Sequence, residues 1–244
     1  MGAGPSDSPA FTVYLTEYYT GTPVGLRGAP LDHQAGLRYV RARRSDGSTA
    51  DQMFAGPPAP STAAPLDNID VIDMRTRRWL KASRALNAIS TYPMPAGDPS
   101  SAFGGPTPES GCLLTRGGSP AHDKPMEFAG REKVLGIDTL AYLRPDGSKV
   151  WLAPSLACQT IKGYFSGYDK DRRLVSLTEQ EPDKIMIGPP DESLFQPVGD
   201  EVTPSEMHRR RLRHVGLDVE EGMRRVAATL ARQDKTYREA QARK

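Results

Sequence analysis

The chain has 244 residues, of which 37% are hydrophobic, with 22 prolines, 23 glycines, and 32 Lys plus Arg against 30 Asp plus Glu for a net charge of +2. That length holds one large domain or two small ones, and the proline and glycine content argues against a helical bundle and for a turn-rich β fold. Near-balanced charge argues against a nucleic-acid binder, no run reaches the roughly 20 apolar residues of a transmembrane helix, and the scattered histidines and two cysteines supply no metal-ligand set, so no cofactor is implied.

"MGAGPSDSPA" carries neither the basic nor the apolar region of an export signal, so residues 1–10 read either as the start of a cytoplasmic protein or as a loose, disordered start of the kind left once a signal peptide is removed. Residues 11–19, "FTVYLTEYY", have the β-branched and aromatic content of a strand. In 37–44, "LRYVRARR", apolar and basic residues alternate; "SDGS" at 45–48 then turns the chain into a strand at 49–54, as in a sheet wetted on one side. Residues 55–67 are a loop. "NIDVIDMRTRRWLKASRALNAISTY" predicts a strand, a tight turn near Thr76 and one or two further strands. A second, longer loop at 93–111 follows, and loops of that size are functional or disordered.

From 126 onward strands are expected near 126–133, 137–144, 148–153, 158–166, 172–180 and 184–188. Pro145-Asp146-Gly147 forms a turn with Gly147 left-handed. Short turns between successive strands, with no βαβ alternation, give an antiparallel meander over 11–202. A helical tail occupies 203–244. Thr203 is the N-cap, Pro204 opens the helix and Glu206 closes a capping box. Gly216 ends that helix, and Asp218 with Glu221 repeats the capping pattern for a second one over about 219–241. Val219, Met223, Val226, Leu230 and Tyr237 then form one apolar seam. Residues 205–244 hold 11 basic and 6 acidic side chains, +5 in all, which leaves −3 for the body.

Cys112 and Cys158 are either a bridge or two separate buried thiols. A bridge would contribute about 4 kcal/mol through loop closure and would place the chain in an oxidising compartment. Trp151, Leu152, Leu156, Met126 and Met186 either line a ligand concavity or fill an ordinary sheet core, the commoner role of such residues. His33, His122, His208 and His214 stand apart from any nucleophile motif. The glycine-rich 104–111 lacks the strand–helix setting and Lys-Ser/Thr ending of a phosphate loop. "RRRLR" at 209–213 reads as a solvated helix end.

Gly136, Thr139, Trp151, Ala153, Pro154, Leu156, Cys158, Pro190, Leu194, Phe195, Pro204, Ser205 and Glu206 together resemble a motif set of uncharacterised bacterial envelope proteins. In outline the chain is similar to the LolA/LolB-like lipoprotein carriers. That resemblance implies a curved, half-barrel-like antiparallel sheet around an apolar concavity, with helices as a lid. The expectation is a mainly β, non-enzymatic envelope protein, periplasmic or extracellular, holding a lipid, a lipoprotein acyl chain or a protein partner on a concave sheet. The alternative is a structural or assembly subunit that docks, on another protein or on its own copy, through the C-terminal amphipathic helix.

Overall fold

The computed structural model describes residues 9–22, 30–55, 67–92, 94, 112 and 126–228. Most of the two expected loops at 55–67 and 93–111, and Leu230 and Tyr237 of the expected seam, lie outside these residues. The protein is mainly β, with 55% of the described residues in strands, and its sheet is open and mostly antiparallel. The sheet has 12 strands in the order β12-β6-β5-β4-β3-β2-β1-β11-β10-β9-β8-β7.

Two meanders meet at the centre. The first comprises β1 (Phe11–Gly21), β2 (Leu31–Arg43), β3 (Thr49–Ala55), β4 (Asn68–Asp73), β5 (Arg78–Ser83) and β6 (Ala88–Tyr92). The second comprises β7 (Glu127–Val134), β8 (Ile137–Leu143), β9 (Lys149–Ala153), β10 (Gln159–Tyr168) and β11 (Leu174–Ile187). It starts at the far edge and runs inward until β11 pairs with β1, Phe11 opposite Ile187 and Gly21 opposite Ser176. The chain then crosses one face through a 3₁₀ turn, Glu192–Phe195, and reaches the other edge as β12 (Asp200–Glu201), parallel to β6.

The expected break between strands 172–180 and 184–188 does not exist: β11 is continuous through Pro182. Its register slips between Tyr14 and Leu15 of β1, and Leu15 partners Pro182. Pairing with β10 has already ended at Gly163–Gln180, so the absent proline N–H removes no ladder bond on that side. The stretch 68–92 resolves into two hairpins with turns at 74–77 and 84–87.

Both Asp-Gly turns have one construction. The Gly47 and Gly147 N–H groups donate to the carbonyls of Arg44 and Arg144, and Asp46 and Asp146 accept from the N–H groups of Ser48 and Ser148. The glycines take φ of 86° and 81°. The buried Ser48 and Ser148 hydroxyls then accept from the N–H groups of Met74 and Ser166, tying each turn to a neighbouring hairpin or strand.

The curl of the sheet follows from one contact. In the order β2-β1-β11-β10, β2 and β10 lie three spacings apart, about 14 Å on a flat sheet. Arg41 of β2 nevertheless donates to the Thr160 carbonyl of β10 at 3.2 Å. An arginine side chain cannot span the flat distance, so the sheet bends toward the face that carries Arg41, here the inner face. Direct cross-strand partners share a face, which puts Phe11, Val13 and Leu15 of β1 on that side, opposite Arg43, Arg41 and Tyr39. These three β1 side chains are buried with Ile161, Ala153 and Leu156 in one core cluster.

On the outer face of the first meander, Ala42, Ala50, Ile69, Val71 and Ala82 pack under Phe195 of the crossing turn. Arg44 lies 3.7 Å over the Phe195 ring and pairs with Glu192. The first helix, α1 (Pro204–His214), is capped by Thr203, whose hydroxyl accepts from the Glu206 N–H at 3.2 Å. Glu206 does not reach back as a capping box would. Its carboxylate turns forward to Arg209, Arg210 and Arg213, which attract it along the helix face. Gly216, at φ 69°, ends α1, with the Leu217 N–H closing onto the Leu212 carbonyl at 2.9 Å. Asp218 caps the second helix, α2, by accepting from the Glu221 N–H at 2.7 Å, and α2 runs from 219 through 228, the last described residue.

Candidate functional site

The parts of the sheet have different covers. On β8, β9 and β10, Leu140, Tyr142, Val150 and Leu152 are sealed with the Cys112–Cys158 disulfide, whose Cα atoms are 5.4 Å apart across a sequence separation of 46. Met126 and Phe165 pack against the same cluster. At the centre, Phe11, Val13 and Leu15 fill the curl. Over β2 to β6 no other element covers the inner face among the described residues, and that surface is polar and aromatic.

Register builds that open surface. Arg41 of β2 faces Asp51 of β3, which faces Asp70 of β4, then Lys81 of β5 and Ser90 of β6. Beside this row, Ile72 faces Trp79 and Trp79 faces Tyr92. The Arg41 Nε lies 3.3 Å from Asp51, and the Lys81 Nζ 3.4 Å from Asp70. The Trp79 Nε1 donates to Asp70 at 2.5 Å. The Trp79 and Tyr92 rings are 5.4 Å apart at 44°, and the Lys81 ammonium lies 4.7 Å from the first centroid and 5.7 Å from the second. Both rings are only half-buried. The Ser90 side chain is buried, and its hydroxyl has no hydrogen-bond partner among the described residues.

Asp51 and Asp70 are like charges in directly opposed positions, an arrangement that destabilises a sheet. The Asp51 carboxyl is raised above its usual pKa, first by burial and further by Asp70, with Arg41 acting against both. Yet its side chain keeps 66% of its surface in contact with solvent. A group can be crowded by protein and still touch water when it lies on the floor of a concavity, in agreement with the curl at Arg41.

Next to the row, Glu17 is buried, and no cation pairs with it among the described residues. Tyr19 and Tyr39 donate their hydroxyls to it, and the Gln180 Nε2 donates at 2.9 Å. Burial first, and then the Glu17 charge, push both phenols far above the ordinary tyrosine value, so they remain donors. Gly36 lets the Tyr19 ring lie over β2, since a Cβ there would come within 2.0 Å of the ring.

The residues singled out from sequence are dispersed. Trp151 and Leu156 are core, with 3% and 1% of their surfaces exposed, and Leu152 is under the disulfide. Trp151 is packed in the same cluster as Phe11, Val13 and Leu15, and its register partner Lys162 pairs with Glu181 at 2.9 Å. Met186, opposite Thr12, is exposed on the face away from Phe11 and Val13, while Met126 belongs to the disulfide cluster. Val219, Met223 and Val226 are half-buried on α2, where Gly222 comes close against Leu212 of α1.

Reading strand by strand missed the open row, although the sequence holds a signal for it. "WLKASRALNAISTY" (79–92) and "WLAPSLACQTIKGY" (151–164) align without gaps and share Trp, Leu, Ser, Ala, Ile and Tyr. The second copy repeats the chemistry: the Trp151 Nε1 donates to Glu132 at 2.7 Å, Lys149 lies 4.4 Å from the indole, and Tyr164 packs edge-on at 5.0 Å. Hydrogen bonds from Lys149 and then Trp151 hold Glu132 below the usual carboxylate range. One copy buries its tryptophan; the other leaves it half open.

No family model matches the chain, and no curated protein matches it.

Proposed function

We propose that the protein is a non-catalytic binding protein that holds its ligand or partner on the inner face of β2 to β6. The observation that supports this reading most is the half-open Trp79–Tyr92 pair beside the opposed Asp51 and Asp70. Indole surface and a costly carboxylate pair are kept at the one stretch of inner face that no other element covers among the described residues, whereas the duplicate tryptophan, Trp151, is packed away. An apolar acyl ligand has little lining here, because Trp151, Leu152 and Leu156 are already spent on the core. The disulfide supports a periplasmic or extracellular location, since such bonds persist in oxidising compartments.

A thermal-shift screen across glycans, amphiphiles and peptides tests the reading. A binder should stabilise the wild type and lose its effect with Trp79→Ala or Asp70→Asn. Binders that are indifferent to both substitutions would overturn it.

The tail offers a second reading, an assembly device. It is favoured by Leu217, 59% exposed between the two helices, and by the apolar spacing of α2. The base of the tail belongs to the body: Arg210 donates to the carbonyls of Leu86 and Asn87, and Arg211 to the side chain of Asn68. On this reading a chain ending at 217 stays folded in sedimentation and loses self-association.

A further inference from the structure

We infer that the ligand of the open inner face is a neutral glycan chain, an assignment that rests on that face being the binding site. The row Arg41–Asp51–Asp70–Lys81 carries two positive and two negative charges, paired at 3.3 and 3.4 Å, so it presents no net charge. An anionic ligand would meet Asp51 and Asp70, and a cationic one Arg41 and Lys81. A hydroxyl group both donates and accepts, so a polyol is the ligand that every member of such a row can serve.

Three further features fit. The Trp79 and Tyr92 rings are half-open and stand beside the polar row, so a sugar ring can set its C–H face on an aromatic while its hydroxyls reach the charges. Ser90, buried as the register partner of Lys81 and with no hydrogen-bond partner for its hydroxyl among the described residues, closes the row with a polar side chain on the same face. The row crosses four consecutive strand pairings, β2 through β6, about 19 Å at the usual spacing, which suits several linked sugar units better than one. Lys81 now lies over both rings, and its flexible stem lets the ammonium swing aside while remaining near Asp70.

The test is isothermal calorimetry of the full chain with neutral hexasaccharides: a β-1,4-glucan, an α-1,4-glucan and an N-acetylglucosamine oligomer. The expected result is saturable binding of at least one, with an affinity nearly unchanged between low and high salt because no net charge is neutralised. Trp79→Ala and Asp70→Asn should each weaken it about tenfold or more, while Trp79→Phe, which keeps a ring, retains most of it. Circular dichroism of each variant separates lost binding from lost fold. Failure of the whole panel, or binding insensitive to Trp79→Ala, overturns the assignment. If an anionic vesicle or a peptide binds instead and Trp79→Ala abolishes that, the face is the site and the glycan assignment alone falls. If those binders also ignore Trp79→Ala, the face falls too.

Discussion

The fold makes a charge on Asp51 costly. Its raised pKa means that the folded state holds the proton more tightly than the unfolded chain does. The linkage contribution is therefore present in full below the unfolded carboxyl value, about 3.9, and is lost as pH rises through the folded value. Asp51→Asn removes that loss, so the variant should be more stable than wild type at pH 7, with the gain vanishing in acid; urea melts at both pH values check it. The tyrosines around Glu17 act at the other end of the scale. Their phenols stay protonated in the fold and ionise near pH 10 once unfolded, so stability should decline from about pH 10 upward. Tyr19→Phe with Tyr39→Phe should flatten that alkaline limb, while each lost hydrogen bond costs about 1 kcal/mol at neutral pH. Neither environment was visible in the sequence. Glu17 sits in an ordinary strand pattern, and its partners Tyr39 and Gln180 arrive from distant strands.

The two Asp-Gly turns show what was legible among the elements and why. A left-handed glycine after Asp, between alternating runs, specifies a hairpin locally, and the hydrogen bonds at both turns follow that specification. Replacing either glycine with alanine forces a Cβ into the left-handed region at about 1 kcal/mol. Gly147→Ala should cost more than Gly47→Ala. A Cβ at 147 would meet the Tyr168 hydroxyl at 3.2 Å, whereas at 47 only the Met74 Cγ comes near, at 3.9 Å. Chemical denaturation of the two variants ranks them. The helix caps at Thr203 and Asp218 were equally local and equally legible. Continuity of β11 was not, because proline breaks a strand only where its N–H is needed, and that depends on where β10 stops. The open aromatic row was half legible: Trp79 and Tyr92 recur as Trp151 and Tyr164, but which copy is exposed is settled by the core that forms around it.

For the molecule as a whole, the disulfide is the cover of the apolar cluster on β8 to β10 as well as a crosslink. Reduction, or Cys112→Ser with Cys158→Ser, should lower stability by about 4 kcal/mol in the loop-closure account. Because Leu152 and Val150 lie under the bridge, the loss should come with exposure of apolar surface, read as dye binding, while the Trp79 side of the sheet keeps its hydrogen bonds. The central seam has a different consequence, one of timing. Phe11 is made well before its partner Ile187, so β1 waits with one flank unpaired until β11 is synthesised. Contacts so distant in sequence make folding slow. Until β11 arrives, the nascent chain exposes a sticky strand edge at what will become the middle of the sheet, and an interruption of translation before residue 174 leaves that edge open.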